Sequence, residues 1–241
     1  MKAIFTLNTL QEAIKSASLA AKTASPKPIL RNVLLTVENG TFEAAATTME
    51  QTIKSRGEVY QTIEAGKTLL TPGAVKRIIG TKQNQKITIE GNQRDLTILF
   101  ESSKASFTTE DFEEFPSCQS DKEKTLIFSL DASQIIEGYT RTEKSTEKHN
   151  GKYALGSVLL DVMDQNLVSF VSTDGRRMAV QTYETKTTAQ KLFILPKEFF
   201  ALVKKLFKGH SKIDFYALGD YEVIFQSEKT EYSFPLLEGR F

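Results

Sequence analysis

Apolar positions recur along the chain with two periods, and the same succession of periods is met twice. Ala3-Ile4-Phe5-Thr6-Leu7 reads as a short strand, with Asn8 as the expected N-cap of a following helix. Leu10, Ile14, Ala17, Ala20 and Ala21 then return at near-helical spacing, leaving Lys15 and Lys22 off the stripe. Ser25-Pro26-Lys27-Pro28 stops that helix, because proline disfavours helical geometry in the residue before it. A buried strand is predicted over Ile29–Val37, a turn at Glu38-Asn39-Gly40-Thr41, and strands over Phe42–Ala46 and Gln51–Tyr60. Leu69-Leu70-Thr71-Pro72 reads as a strand end and a helix start, with proline in the first helical turn. That short helix is expected to turn Val75, Ile78 and Ile79 inward and to leave Lys76, Arg77 and Lys82 elsewhere. Strands over Lys86–Glu90, Asp95–Glu101 and Lys104–Thr109 follow, closing at Phe112–Pro116, and polar Ser117–Lys124 reads as a linker.

After the linker the pattern restarts. Phe128-Ser129-Leu130-Asp131 repeats Phe5-Thr6-Leu7-Asn8, and Leu159–Val162 repeats Leu34–Val37. Leu195-Pro196 with Phe199, Leu202 and Val203 repeats Thr71-Pro72 and its helix. Lys212–Phe215 repeats Lys86–Ile89, and Leu237–Phe241 lands on Asp111–Phe115. The offsets stay near 123 to 126 residues throughout. The expectation is an α+β chain of two duplicated domains, residues 1–120 and 125–241, each with antiparallel sheets and two helices on one face.

Inside this repeat, Val171–Val180 stands out, with Thr173-Asp174-Gly175-Arg176-Arg177-Met178 between apolar runs. One reading is a strand, a tight Asp-Gly turn and a second strand. The other is a binding lip that displays two guanidinium forks at the mouth of a groove. Ser172–Gly175 falls on Ala46-Thr47-Thr48-Met49 of the first half, and only the second copy carries Asp-Gly-Arg-Arg.

Composition narrows the chemistry. The formal charge of +1 gives no global attraction to nucleic acid or membrane, so only charge placement is informative. The single Cys118 permits no internal disulfide, sits in no metal-ligand spacing and reads as a plain loop thiol. His149 and His210 fall in polar loops and are expected to be solvated, as is the acidic stretch Glu110–Glu114. No phosphate-binding loop, nucleophile elbow or metal spacing is present, so no catalytic residue, metal or cofactor is expected and the chain does not read as an enzyme. No apolar run approaches the ~20 residues of a membrane helix and no signal peptide begins the chain, which predicts a cytosolic protein without membrane association. The predicted helices carry Lys15 and Lys22; Lys76, Arg77 and Lys82; Arg141, Lys144 and Lys148; and Lys197, Lys204, Lys205 and Lys208. A basic helical face without base-reading side chains suits sequence-independent phosphate contact, while ordinary amphipathic helices with solubilising lysines remain the alternative.

Pro28-Ile29-Leu30-Arg31-Asn32-Val33-Leu34-Leu35, Val171–Val180, Leu195-Pro196-Lys197 and Glu238-Gly239-Arg240-Phe241 together resemble the bacterial DNA polymerase III β subunit, or sliding clamp, family. The likeness runs in order over the whole chain and covers the first two of that family's three domains; the third is expected to be absent. It implies the DNA-clamp fold and a non-catalytic processivity factor, in which rings of six domains encircle duplex DNA and tether the replicative polymerase. By this resemblance Lys15, Lys22, Lys76, Arg77, Lys82, Arg141, Lys144, Lys204 and Lys205 face the DNA, and Lys148, His149, Lys152 and Tyr153 belong to a DNA-touching loop, in which Ala154 replaces one of the family's paired tyrosines. Leu155, Thr173, Gly175, Arg176, Arg177 and Met178 form one wall of a groove for clamp-motif peptides of the polymerase, clamp loader and other partners, and Phe107 lies at the subunit edge. The preceding edge, Glu101–Ser106, is poorer in arginine than is usual in the family. The implied partners are double-stranded DNA, those replication proteins and further copies of the chain in a ring, at the nucleoid in the cytoplasm. A two-domain chain closes six domains as a trimer; the alternative is a truncated interaction protein that binds replication partners or clamp subunits without forming a ring.

Overall fold

Strand β1 (Lys2–Thr6) alternates half-buried and buried residues and runs without a loop into helix α1 (Leu7–Ala17). The computed structural model describes residues 1–21, 25–82, 85–118, 123–147, 156–164 and 166–237. The helix begins at Leu7, with Thr6 and not Asn8 at its N-cap. The Leu7 amide donates to the Gln85 carbonyl at 3.0 Å, so a first-turn donor is satisfied from a distant segment of the same chain and Asn8 is free to enter the helix. The helix also stops earlier than its apolar spacing predicts. Ala20 and Ala21 lie in turns closed by i→i+3 bonds to Ala17 and Ser18, although Ala20 is still fully buried.

The expected strand from Ile29 starts later. Pro28–Arg31 is a 3₁₀ turn, and the Arg31 guanidinium donates to the Ser25 carbonyl at 2.9 and 2.7 Å, folding the segment back on itself. Strands β2 (Val33–Glu38), β3 (Thr41–Thr47), β4 (Thr52–Glu58), β5 (Gln61–Glu64) and β6 (Gly66–Leu70) lead to helix α2 (Pro72–Gly80). Then come β7 (Lys86–Gly91), β8 (Asp95–Leu99) and β9 (Lys104–Thr108). Within Met1–Ser120 the strands pair antiparallel in the orders β5-β1-β7-β8-β9 and β4-β3-β2-β6. In α2 the buried residues are Ala74 and Ile78, while Val75 and Ile79 are only half-buried, so the apolar face is rotated from the expected one. Cys118 is half-buried; burial, opposed by Lys54, pushes its thiol up to about 11 and keeps it neutral.

The second unit, Asp121–Phe241, contains β10 (Lys124–Asp131), α3 (Ala132–Thr142), β11 (Ser157–Met163), β12 (Leu167–Thr173) and β13 (Met178–Glu184). It continues with β14 (Lys191–Pro196), α4 (Lys197–Leu206), β15 (Lys212–Leu218), β16 (Glu222–Gln226) and β17 (Thr230–Pro235). Its strands run β10-β15-β16-β17 and β13-β12-β11-β14, all antiparallel. Where β5 pairs with β1 in the first unit, the second has a single backbone bond from Thr188 to Ile127 at 3.0 Å. Ladder register places Ile194 opposite Leu159 as it places Leu69 opposite Leu34, so Pro196 is the counterpart of Thr71 and Lys197 that of Pro72. The prolines therefore differ in role: Pro72 opens α2, whereas Pro196 caps α4 from outside.

The second core is markedly aromatic. Phe128 stacks on Phe215 at 4.8 Å, and Phe193, Phe225 and Phe234 continue the cluster edge-on or stacked. His210 is drawn toward it, against the expectation of a solvated ring. Gly209 takes φ +88°, the His210 amide bonds back to Phe207, and the ring nitrogen Nδ1 lies 2.8 Å from Ser227 Oγ. Burial, and then Lys229, hold its pKa below the usual value.

Helix α3 approaches its sheet through Gly138, where an added Cβ would stand 2.7 Å from the Phe170 ring. Phe170 is fully buried and cannot swing away. Gly138→Ala is expected to cost about 1–3 kcal/mol in urea denaturation, the usual penalty of overpacking a tight core.

Candidate functional site

Each pair of helices carries its cations on the side away from its core. Helix α1 buries Leu7, Leu10, Ala13, Ile14 and Ala17, which leaves Lys15 exposed. Helix α2 is tied to it by Gln11, whose Nε2 donates to the carbonyls of Ile78 and Thr81, both at 2.8 Å. That side chain caps the end of α2 and fixes where Lys76, Arg77 and Lys82, all exposed, can point. Arg77 lies over the Phe100 ring at 5.0 Å and donates to Ser103 Oγ at 3.2 Å. Phe107, on the terminal strand β9, is half-buried against Gly73, where a Cβ would meet it at 3.2 Å. With Lys76, Arg77 and Gly80 these two residues line a hollow of about 420 Å³.

In the second unit α3 and α4 meet through the Tyr139 and Phe200 rings, 4.7 Å apart, and through Lys204 Nζ, which donates to Thr140 Oγ1 at 3.2 Å. Arg141 is exposed but engaged, 2.6 Å from Glu137 and 3.1 Å from Gln181 Oε1. The Tyr183 hydroxyl donates to the same Glu137, and burial together with that carboxylate pushes the phenol up to about 12. Lys144, in a 3₁₀ turn (Glu143–Ser145) after α3, and Lys205 are exposed. Among the described residues Lys15, Lys76, Lys82, Lys144 and Lys205 form no ion pair, so their charge is available to an anionic surface. Lys22, Lys148, His149, Lys152, Tyr153 and Leu155 lie outside the described residues.

The Asp-Gly stretch forms the hairpin between β12 and β13. Thr173 pairs with Met178, and Asp174–Arg177 form the loop. Thr173 Oγ1 donates to the Arg177 carbonyl at 2.8 Å and accepts from the Gly175 amide at 3.1 Å. Asp174 Oδ1 accepts from the amides of Arg176 and Arg177, both at 3.0 Å. The first unit builds the same turn from other residues. Thr47 Oγ1 bonds to the Gln51 carbonyl and the Met49 amide at 3.1 and 3.0 Å, and Thr48 Oγ1 accepts from the Gln51 amide at 3.2 Å. Even the positive φ is shared, +77° at Met49 and +81° at Gly175. Folding alone therefore does not require Asp-Gly-Arg-Arg, since threonine and a strained methionine satisfy the same geometry.

What differs is the display. Where the first unit has exposed Glu50, buried Gln51 and half-buried Thr52, the second exposes Arg176, Arg177 and Met178, the last to 67%. Arg177 Nε lies 3.0 Å from Asp174 Oδ2, and its Nη2 donates to the Lys144 carbonyl at 2.8 Å. Arg176 is exposed with no side-chain bond among the described residues.

The DNA polymerase III beta subunit N-terminal-domain family matches residues 1–119, and the central-domain family of the same subunit matches residues 129–241. The chain belongs to the DNA polymerase III beta subunit family. It is 26% identical over 184 residues to the beta sliding clamp of Chlamydia muridarum, covering 74% of this chain and 48% of that one. To the Vibrio cholerae beta sliding clamp it is 26% identical over 218 residues, 89% of this chain and 58% of the relative. The chain thus spans about half the length of the curated relatives it matches. Among solved structures, the Pseudomonas aeruginosa sliding clamp bound to griselimycin superposes with a TM-score of 0.90 at 20% identity, over all of this chain and 66% of that one. The Streptococcus pyogenes beta subunit gives the same TM-score at 17% identity, again over 100% of this chain and 66% of its own. These likenesses bear out the expected DNA-clamp fold.

Ser172, Asp174 and Lys197 take part in the geometry around the lip without having been singled out as site residues. Asp174 carried a signal in its Asp-Gly pairing and Lys197 one in its place among the helix cations; Ser172 carried none. Bonds from the backbone of Arg176 and Arg177, then from the Arg177 side chain, hold the Asp174 carboxyl below its usual value. A depressed carboxyl stabilises the turn above its unfolded pKa, and this is lost as pH falls through the folded pKa. An NMR titration of the Arg176 and Arg177 amides is expected to give a midpoint below ~3.9, the value of an unperturbed aspartate; a midpoint at or above it contradicts the bonded turn.

Proposed function

We propose that this chain works as a DNA sliding clamp, a non-catalytic processivity factor that tethers the replicative polymerase to duplex DNA by encirclement. The observation that carries the reading is the family match over both units, joined to exposed, unpaired lysines on the outer side of each unit's helix pair. Lys15, Lys76, Arg77, Lys82, Arg141, Lys144, Lys204 and Lys205 are the cations that meet phosphates, in a diffuse and sequence-independent contact. Lys22, Lys148, His149, Lys152 and Tyr153 join them by family resemblance. Ring closure through self-association uses the edge strand β9, with Phe107 as its apolar contact beside Lys76 and Arg77. The lip at Thr173–Met178, with Leu155, receives a clamp-motif peptide of the polymerase or clamp loader: Met178 offers apolar surface and Arg176 a free guanidinium. No helix among the described residues is long and apolar enough to cross a membrane, and the proposed setting is the nucleoid in the cytoplasm.

Encirclement is tested by topology. The protein is expected to stay on nicked circular DNA and to be lost when the circle is linearised, with light scattering giving an oligomer at micromolar concentration. A monomer that binds partner peptides and treats circles and linear DNA alike would instead establish the non-ring interaction protein. Met178→Ala combined with Arg176→Ala is expected to weaken binding of a clamp-motif peptide on the order of tenfold or more in calorimetry; unchanged affinity reduces the lip to a plain turn.

A further inference from the structure

An α-helix ends with carbonyls that have no partner within the helix, and such an end is fixed only if something else donates to them. At the end of α3 and in the 3₁₀ turn after it, side chains from elsewhere in the unit reach three consecutive carbonyls, the middle one, Glu143, being held chiefly by Thr146 Oγ1 at 2.7 Å. Ser172 Oγ, on β12, donates to the Thr142 carbonyl. Lys197 Nζ, at the start of α4, lies 3.5 Å from the Glu143 carbonyl and donates to Thr146 Oγ1 at 2.9 Å. Arg177 Nη2, from the lip, donates to the Lys144 carbonyl at 2.8 Å. Two of the three donors are cations, the charge that the negative end of a helix favours. The Arg177 guanidinium is in turn held by Asp174 at 3.0 Å.

Among the described residues the first unit lacks two of these three donors. The counterparts of Ser172 and Lys197 are Ala46 and Pro72, which have no side-chain donor, and the chain after α1 closes on i→i+3 backbone bonds. Forming the turn after such a helix therefore does not demand the Ser172 and Lys197 donors. Together with Arg177 they do something particular in the second unit: they join the lip to the stretch that carries Arg141 and Lys144.

We propose that Arg177 is a positioning residue for DNA contact, a strut through which Asp174 and the lip hold the end of α3 so that Lys144 and Arg141 are presented to phosphates. The guanidinium left for a partner is that of Arg176. The proposal rests on the DNA-facing reading of Arg141 and Lys144. Its consequence is a coupling: a partner acidic group that draws Arg177 away from the Lys144 carbonyl weakens duplex binding, and duplex binding opposes that capture by the same factor.

The test uses the full chain, a duplex oligonucleotide as probe, and a temperature at which circular dichroism shows every variant folded. Arg177→Lys and Asp174→Asn are each expected to lower duplex affinity about two- to tenfold, and neither is expected to lower it further in a background carrying both Lys144→Ala and Arg141→Ala. Hydrogen exchange at the Thr146 amide, which bonds to the Glu143 carbonyl, should quicken in both variants. The Asp174→Asn result separates the strut from simple charge, because removing a negative group by itself strengthens binding to DNA, and Arg177→Lys keeps the positive charge. Unchanged or tighter duplex binding in Asp174→Asn, with Lys144→Ala still impaired, overturns the strut. Quicker Thr146 exchange with no loss of duplex affinity in any variant, Lys144→Ala included, overturns the DNA-facing reading and the proposal with it.

Discussion

The helix pairs of this chain depend on narrow apolar stripes set against the sheets beneath them. Leu10, Ala13, Ile14 and Ala17 of α1 and Ile135, Gly138 and Tyr139 of α3 are buried, and burial of such side chains is worth roughly 1.5–3 kcal/mol for each large one. Once those residues face inward, Lys15 and Arg141, off the stripes, are left exposed. A basic outer side is therefore a consequence of core packing as much as of charge selection. Polar ties then remove the remaining freedom: Gln11 sets the end of α2, and the Ser172, Lys197 and Arg177 donors set the end of α3.

Duplication supplies an internal control. Two hairpins share their bonds and their positive φ while sharing almost none of their side chains, so whatever differs between them is not needed to make the turn. The same comparison applies to the helix ends, where Ser172 and Lys197 face Ala46 and Pro72. In both places the second unit carries the added polar groups. They converge on the surface that includes Arg141, Lys144 and Met178, which places the candidate phosphate contacts and the candidate partner lip on one connected piece of structure.

The repeat also shows how cores diverge beneath a constant topology. The first unit fills its interior mainly with Ile, Leu, Val and Ala and brings Phe5 edge-on to Phe42 at 5.4 Å. The second uses a run of interlocking phenylalanines, and it draws His210 partly inside as the chain turns at Gly209. Volume and pattern are conserved constraints, while the choice of residue is not.

The sequence by itself determined the duplicated α+β architecture, the strand-to-helix order, the Asp-Gly hairpin and the family, because these follow from periodicity, turn chemistry and ordered motifs that are local in the chain. It misplaced what depends on distant partners. Asn8 is not a cap because the Gln85 carbonyl takes the Leu7 amide, Ile29 is not strand because Arg31 folds back onto Ser25, and α2 turns Ala74 inward in place of Val75. Only the tertiary structure decided that Arg141 is already paired with Glu137 and that, among the described residues, Arg177 is bonded through its side chain and Arg176 is not. Hydrogen bonds to backbone carbonyls leave no periodic trace in sequence; which guanidinium is occupied is settled by the elements that folding brings within 3 Å of it.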